Sequence, residues 1–250
     1  MAIIQPTKTL TYKKVSKLEI PLDLYLPDSQ KGVPVLLWFH GGGLIQGRRD
    51  ALARHMRRGV QKYGYACVSA DYRLAPQVSV KDILEDVKDC INFIRKELPS
   101  HLESGALDVS RLAVSGSSAG GYLALLAGLY AEPKPNVILP IYPITDPLGT
   151  FFTNPQPPPM GRYSPSKDEM APYLDAKAES AANCGPVGQD ARSHMYVYML
   201  GAANLAHLYH VPEAKDAEPF RISRNVYERR LPPAYFLHGD AGKSSYLKWQ

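Results

Sequence analysis

The chain has 250 residues, of which 45% are hydrophobic and 21% are charged, values that fit a globular protein and exclude disordered and fibrous classes. One α/β domain over residues 1–250 accounts for this length. The formal net charge of +5 comes from scattered lysines and arginines without interleaved aromatic residues, which argues against nucleic-acid binding.

Three cysteines, Cys67, Cys90 and Cys184, lie far apart in the chain. Their odd number and wide spacing predict neither a disulfide framework nor a cysteine-based metal site. No apolar run approaches the length of about 20 residues that a membrane span needs. The first ten residues lack the apolar core of a signal peptide. We therefore expect a cytoplasmic protein without a membrane span.

Three strands are predicted before residue 40. Apolar and polar residues alternate from Leu18 to Leu26, which indicates a strand with one buried face, and Pro21 within it is typical of an edge strand. Residues 9–15 are expected to pair with this strand in antiparallel fashion. Val33–Phe39 is almost wholly apolar, as in a central strand covered on both faces.

Helices and strands alternate in the next hundred residues. A helix is predicted over 50–63, a strand over 65–70, and a long helix after residue 79, where Ser79 and Asp82 fit a capping box. A strand ending at Ser115, a helix over 119–130 and a sixth strand over 137–141 follow. This order predicts a mostly parallel central sheet with helices on both faces.

The segment 143–212 is rich in proline, with helical pieces expected near 169–182 and 193–208. We interpret it as an insertion after the sixth strand that covers the carboxyl edge of the sheet. It could cover a substrate as a lid, or only fill a gap. Its large apolar side chains favour an aromatic-lined cavity, although they could equally serve packing; they are Phe151, Phe152, Met160, Tyr163, Tyr196 and Tyr198. A late strand is predicted over 234–237.

The sequence Gly116-Ser117-Ser118-Ala119-Gly120 fits the pattern G-x-S-x-G between a predicted strand and a predicted helix. In that context the pattern predicts a tight turn that presents Ser118 as a nucleophile. Its flanking residues must be small, because strand and helix approach closely at such a turn.

A second glycine-rich motif, His40-Gly41-Gly42-Gly43, follows the predicted central strand Val33–Phe39. Backbone without side chains can turn its N–H groups toward a carbonyl oxygen and stabilise the oxyanion that forms on attack. We name residues 40–47 the glycine loop. The N–H of Ala119, directly after Ser118, would complete the oxyanion hole.

Together with Asp71-Tyr72-Arg73-Leu74-Ala75-Pro76, these motifs occur in the order and spacing of the hormone-sensitive-lipase-like α/β-hydrolases, which the chain resembles over about residues 18–145. The resemblance implies an α/β-hydrolase fold and hydrolysis of a small, largely apolar ester, thioester or amide. It implies no metal and no organic cofactor. It also implies that Ser118 is the nucleophile and that Gly42, Gly43 and Ala119 bind the oxyanion. His40, Asp71 and Arg73 would support the glycine loop, through an ion pair and hydrogen bonds, rather than touch substrate.

The chain departs from this family after residue 240. The family's second aspartate falls on Gly242, so Asp240 becomes the candidate acid of the triad, and the family's last strand, helix and catalytic histidine have no counterpart before Gln250. The remaining candidate bases are His194, His207, His210 and His238.

Three interpretations stay open. The chain could be a serine hydrolase, with secondary metabolism as one possible setting, a non-catalytic ligand-binding or scaffold protein on a hydrolase fold, or a truncated product of an esterase gene. A homodimer through an unpaired sheet edge is a further expectation.

Overall fold

A computed structural model describes residues 5–29, 31–186 and 188–239. Its strands are β1 (Lys8–Val15), β2 (Leu18–Tyr25), β3 (Val33–Phe39), β4 (Ala66–Ala70), β5 (Leu107–Ser117) and β6 (Val137–Ile141). Its α-helices are α1 (Arg54–Tyr63), α2 (Val80–Lys96), α3 (Ala119–Tyr130), α4 (Thr150–Thr153), α5 (Lys167–Leu174), α6 (Met195–Ala202), α7 (Leu205–Leu208), α8 (Ala214–Ala217) and α9 (Ile222–Arg229). Short 3-10 turns lie at Arg49–Ala51, Leu98–His101, Pro159–Gly161, Ala191–His194 and Glu218–Phe220.

The strands form a six-stranded sheet in the order β1-β2-β4-β3-β5-β6. β1, β2 and β4 pair in antiparallel fashion, whereas β4, β3, β5 and β6 run parallel. The carboxyl ends of β3 and β5 therefore meet at one edge of the sheet, and the two glycine-rich motifs follow those ends.

Alternate residues of β3 point to opposite faces of the sheet. Val35, Leu37 and Phe39 belong to the main core, on which α2 and α3 pack, while Trp38 packs in a second cluster with Val60 of α1. Both faces are covered, which explains why β3 is apolar at nearly every position.

The prediction that Pro21 marks an edge strand is wrong, because β2 pairs with β1 on one side and β4 on the other. Pro21 lies opposite Thr11, and the register between the two strands shifts between Thr11 and Lys13. A bulge at this point accommodates the missing N–H of proline inside a sheet.

Helix α2 begins with the predicted capping box. The Ser79 side chain accepts a hydrogen bond from the Asp82 N–H, and the Asp82 carboxylate accepts one from the Ser79 N–H. Helix α3 spans the predicted residues 119–130. Two other helices are shorter than predicted: α1 starts at Arg54, after a 3-10 turn and extended backbone at Ala53, and α5 ends at Leu174.

The late strand forms only in part. Ala234 and Leu237 make isolated parallel bridges to Ile138 and Ile141 of β6. Tyr235, Phe236 and Leu237 are exposed, and within the described ranges no further strand pairs with them. The dimer expected at this edge stays a prediction. Among the described residues, no helix has both the length and the apolar character needed to cross a membrane.

Candidate active site

Ser118 lies in the turn between β5 and α3, with φ of 55° and ψ of −117°. Few non-glycine residues adopt a positive φ, and such strained conformations concentrate at functional sites. The Ser118 N–H donates to the Ile141 carbonyl at 2.9 Å, which fixes the turn against β6. The backbone is that of a nucleophile elbow, as the motif predicts.

The glycines around Ser118 permit this geometry. A Cβ on Gly120 would lie 2.0 Å from the Phe39 carbonyl oxygen, and one on Gly116 would lie 2.4 Å from the carbonyl carbon of Gly120. Because neither residue has a side chain, α3 can start directly beside β3, and any larger residue at either position would clash with the backbone.

The glycine loop lies against the elbow. A Cβ on Gly41 would be 3.4 Å from the Ser118 Cβ. Gly42, Gly43 and Leu44 follow with φ of 112°, 64° and 56°, a run of left-handed backbone that favours glycine. Within the described residues, the N–H groups of Gly42 and Gly43 donate no hydrogen bond.

The third predicted oxyanion donor, Ala119, is the first residue of α3, and no side chain caps that helix. The N–H groups of a helix's first turn have no partner inside the helix. Gly41, Gly42, Ser117 and Ser118 line one cavity. The predicted nucleophile Ser118 and one of the three predicted donors, Gly42, therefore line the same cavity.

The side chain of His40 packs under the backbone of the glycine loop and contacts the Gly41 carbonyl. Its ring is buried, stacks on Tyr72 with centroids 4.3 Å apart, and places Nδ1 2.8 Å from the Gly41 carbonyl oxygen. Burial lowers the pKa of His40, so the ring is neutral at pH 7. We assign its proton to Nδ1, since the neighbouring carbonyl can only accept. This placement agrees with a supporting role and not with that of a base.

Asp71 is fully buried, and its carboxylate faces the glycine loop, with Oδ1 3.8 Å from His40 Nε2. Its carboxylate accepts hydrogen bonds from the N–H and the guanidinium of Arg49, each at 2.7 Å, and from the side chain of Asn183, also at 2.7 Å. Sequence reasoning missed Arg49 and Asn183 because no local motif marks them.

Arg73 does not support the glycine loop. Its guanidinium pairs with Asp86 at 2.8 Å and donates to the Asp82 carbonyl, both in α2. Asp86 is fully buried and also pairs with Lys13. A buried carboxylate needs cationic partners, and this requirement directs Arg73 toward α2.

The segment 143–212 contacts the glycine loop through its later part. The Tyr209 hydroxyl donates to the Gly43 carbonyl at 3.0 Å, and the Tyr196 N–H donates to the Gln46 side chain at 2.7 Å. Cys184 and Gly47 are joined twice, by the Cys184 N–H to the Gly47 carbonyl at 3.0 Å and by the Gly47 N–H to the Cys184 Sγ at 3.1 Å. The segment is thus bonded to the loop that it covers.

The cavity beside Ser118 has a volume of about 640 Å³. Its lining includes Trp38, Gln46, Arg48, Asp50, Arg162, Pro186, Ser193 and Tyr196. Of the six side chains expected to form an aromatic lining, only Tyr196 is among the lining residues. Phe151, Phe152 and Tyr198 pack against the core instead, and Met160 and Tyr163 are exposed. The cavity wall is mixed, with charged side chains of both signs.

None of the candidate histidines forms a hydrogen bond with Ser118 within the described residues. His194 packs edge-on against Tyr163, His207 is exposed, and His210 Nε2 lies 2.8 Å from the Pro76 carbonyl oxygen. His238 follows Leu237, whose carbonyl accepts from the Tyr142 N–H at 2.7 Å. Of the four, His238 directly follows a residue bonded to the carboxyl end of β6.

Asp240, the candidate acid, lies outside the described residues. In the described part of the chain, no group of three or more His, Cys, Asp or Glu side chains is arranged to hold a metal ion.

Comparison with curated proteins gives fungal relatives. The non-reducing polyketide synthase Preu6 of Preussia isomera is 34% identical over 148 residues, which are 56% of this chain and 7% of the synthase. The non-reducing polyketide synthase ausA of Aspergillus calidoustus is 30% identical over 216 residues, which are 77% of this chain and 9% of that synthase. The chain thus spans less than a tenth of either relative.

Solved structures with the same fold include an alpha/beta hydrolase superfamily protein from Enterococcus faecalis. Its TM-score is 0.70 at 22% identity, over 92% of this chain and 77% of that protein. An esterase from Thermogutta terrifontis with bound butyrate gives 0.60 at 19% identity, over 95% of this chain and 73% of the esterase. These likenesses confirm the predicted α/β-hydrolase fold.

The BD-FAE family model matches residues 22–152, just over half of the chain. The match includes the glycine loop, Asp71 and the elbow with Ser118. The chain therefore belongs to the BD-FAE family of esterase-like α/β hydrolases.

Proposed function

We propose that this chain is a serine hydrolase of the carboxylic-ester type, related to the hormone-sensitive-lipase-like enzymes. The observation that carries the proposal is the strained Ser118 backbone directly beside N–H groups of the glycine loop that have no partner among the described residues. A protein that only binds a ligand needs neither feature. The proposed reaction requires no metal and no organic cofactor.

In this reaction Ser118 Oγ attacks the carbonyl carbon of the substrate while a base takes its proton. Gly42, Gly43 and Ala119 donate their N–H groups to the oxyanion, and each such donor is worth about 3 kcal/mol of transition-state stabilisation. The tetrahedral intermediate collapses to an acyl-enzyme, and the leaving group departs with the proton. Water then attacks the acyl-enzyme and releases the acid.

We propose His238 as the first candidate for the base and Asp240 as its acid. The bond between the Leu237 carbonyl and the Tyr142 N–H holds the residue before His238 at the end of β6. The Ser118 N–H is bonded to Ile141, the last residue of the same strand. In the part of the chain that the structure describes, no comparable link joins the elbow to His194, His207 or His210.

The substrate is proposed to be an ester or thioester whose acyl group is of polyketide type, in secondary metabolism. Two observations support this. The curated relatives are named polyketide synthases, and the cavity presents Arg48, Asp50 and Arg162 as well as apolar side chains. A polar, oxygen-rich acyl group fits such a wall better than a plain hydrocarbon chain.

A non-catalytic ligand-binding protein is the second candidate. It is favoured by one observation, that no described histidine is hydrogen-bonded to Ser118. The same cavity would then hold a ligand without turning it over.

Covalent labelling by a fluorophosphonate separates the two functions. We expect a single adduct on the folded 250-residue protein, seen by intact mass, and none on Ser118→Ala. Ser117→Ala is the matched control, since it removes the neighbouring hydroxyl and should label normally. In the hydrolase, replacing the base by alanine should slow labelling by about 10³-fold or more, so the four histidine variants identify it. A folded protein that takes no label would contradict the hydrolase and support ligand binding.

A further inference from the structure

Arg192 is an arginine of segment 143–212 whose side chain is buried, at 5% exposure. Within the described residues no carboxylate forms an ion pair with its guanidinium. Its Nε donates to the Ile45 carbonyl at 3.0 Å, and its Nη2 donates to the Ala75 carbonyl at 3.0 Å and to the Gln77 side chain at 2.7 Å. A buried guanidinium bound only by neutral acceptors is costly to desolvate.

The acceptors of Arg192 connect directly to the oxyanion donors. The Ile45 N–H donates to the Gly42 carbonyl at 3.1 Å, and the Ala75 N–H donates to the Leu44 carbonyl at 2.8 Å. Arg192 thus donates to the carbonyl oxygens of Ile45 and Ala75. The N–H groups of the same two residues donate to carbonyls of the glycine loop. It closes a ring of hydrogen bonds around the loop and the segment that follows Asp71.

The part of the loop at this ring includes a strained residue, Leu44. Gly42, Gly43 and Leu44 all have positive φ, and Leu44 carries a side chain in that conformation. Strained backbone persists only where the surroundings fix it. The Arg192 contact with Ile45 is next to the strained run.

We infer that Arg192 is a positioning residue for the oxyanion hole, one that holds the strained run of the glycine loop in the conformation that stabilises the transition state. It does not touch substrate and acts through Ile45 and Ala75. The inference rests on the proposed hydrolase activity for its catalytic consequence. Its structural consequence, a glycine loop fixed by Arg192, stands independently of that activity.

The test uses Arg192→Lys and Arg192→Met in the full chain. Lysine retains the charge and can reach one carbonyl, and methionine removes every donor. Arg95→Met is the matched control, because the Arg95 guanidinium also donates to two main-chain carbonyls, those of Pro133 and Lys134, at the far end of α2.

Hydrolysis of p-nitrophenyl butyrate and hydrogen exchange of the glycine loop are measured for each variant. For Arg192→Met we expect kcat to fall about 30-fold or more while KM changes little, with partial recovery on adding guanidinium ions. The kcat of Arg192→Lys should lie between that of the wild type and that of Arg192→Met. The amides of Ile45, Gln46 and Gly47 should exchange faster, and Arg95→Met should show neither change.

Unchanged kcat with unchanged exchange in both Arg192 variants would overturn the inference. An equal fall in kcat for Arg95→Met, or an effect confined to KM, would also overturn it. If the wild-type chain hydrolyses no ester, the proposed function fails, and hydrogen exchange alone decides whether Arg192 fixes the loop. If Arg192→Met does not fold, the lysine variant carries the same comparison.

Discussion

The imidazole of His40 is buried beneath the glycine loop and gives the fold a pH dependence. In the unfolded chain a histidine titrates near pH 6.5, whereas burial lowers the pKa of His40 in the folded protein. Below about pH 6.5 the unfolded state therefore binds one more proton. Stability is full above that pH and is lost as the pH falls toward the folded pKa, with a slope of up to about 1.4 kcal/mol per pH unit.

We expect the stability advantage of the wild type over His40→Asn to shrink between pH 7.5 and pH 5. Urea unfolding at several pH values measures it. His55→Asn, at an exposed position of α1, serves as the comparison and is measured at the same pH values. A wild-type advantage over His40→Asn that does not change with pH would contradict the argument.

Residues within short motifs could be predicted from the sequence. Ser118, Gly42 and Gly43 owe their backbone conformations to local turns that the neighbouring glycines permit, so a short stretch of sequence is enough to predict those turns. Arg49 and Asn183 could not be predicted, since their contacts with Asp71 exist only after distant segments meet. Arg73 was assigned to the wrong partner for the same reason: the buried Asp86 competes for it.

Among the elements, the junction of β3 and α3 depends on the absence of a side chain at residue 120. Because the nearest atoms to a Cβ there are the backbone carbonyl atoms of Phe39 at 2.0 and 2.7 Å, they cannot give way as a flexible side chain could. Gly120→Ala should lower the free energy of unfolding by about 3 kcal/mol or more.

Gly201→Ala in α6 is the matched substitution, because a Cβ there meets nothing within 4 Å. It should leave stability unchanged or raise it by up to about 1 kcal/mol. Urea unfolding of both variants decides the matter. Equal effects at the two glycines would show that close packing at the elbow is not what excludes a side chain.

Elements with a strong period were predictable. Helix α2 and strand β3 follow from apolar spacing, and the cap at Ser79 marks where α2 begins. The edge-strand prediction from Pro21 was wrong, because proline lacks an N–H and is therefore usually found at a sheet edge. Here a bulge in β1 accommodates the missing N–H inside the sheet. The late strand was predicted in the right place, but among the described residues only isolated bridges form there.

At the scale of the whole molecule, segment 143–212 is bonded to the sheet's carboxyl edge at Gly43, Gln46, Gly47 and Asp71. We therefore predict that it unfolds together with the sheet, as part of one domain over residues 1–250.

Far-UV circular dichroism and hydrogen exchange of segment 143–212, followed across a urea titration, should give coincident midpoints. Exchange in α2 and β3 provides the reference for the sheet. Loss of protection in 143–212 at a lower urea concentration, with the reference intact, would mean that the segment opens on its own as a lid.

The architecture was predictable because the alternation of strands and helices leaves few ways to form a doubly covered sheet. The attachment of segment 143–212 to the glycine loop was not. It depends on side chains such as Tyr209 and Arg192, which have no periodic signature. The prediction of an aromatic-lined cavity was wrong for a similar reason, since composition does not determine which side chains turn toward the cavity.

The ring of hydrogen bonds around the glycine loop also has a consequence for synthesis. Arg192 is 147 residues beyond Ile45, and a ribosome that adds about 5 to 20 residues per second takes roughly 7 to 30 s to cover that distance. Throughout that interval Gly42, Gly43 and Leu44 have been synthesised without the partner that secures them. The nascent chain therefore completes this ring of hydrogen bonds only after residue 192 has been synthesised, long after the strand that leads into the glycine loop.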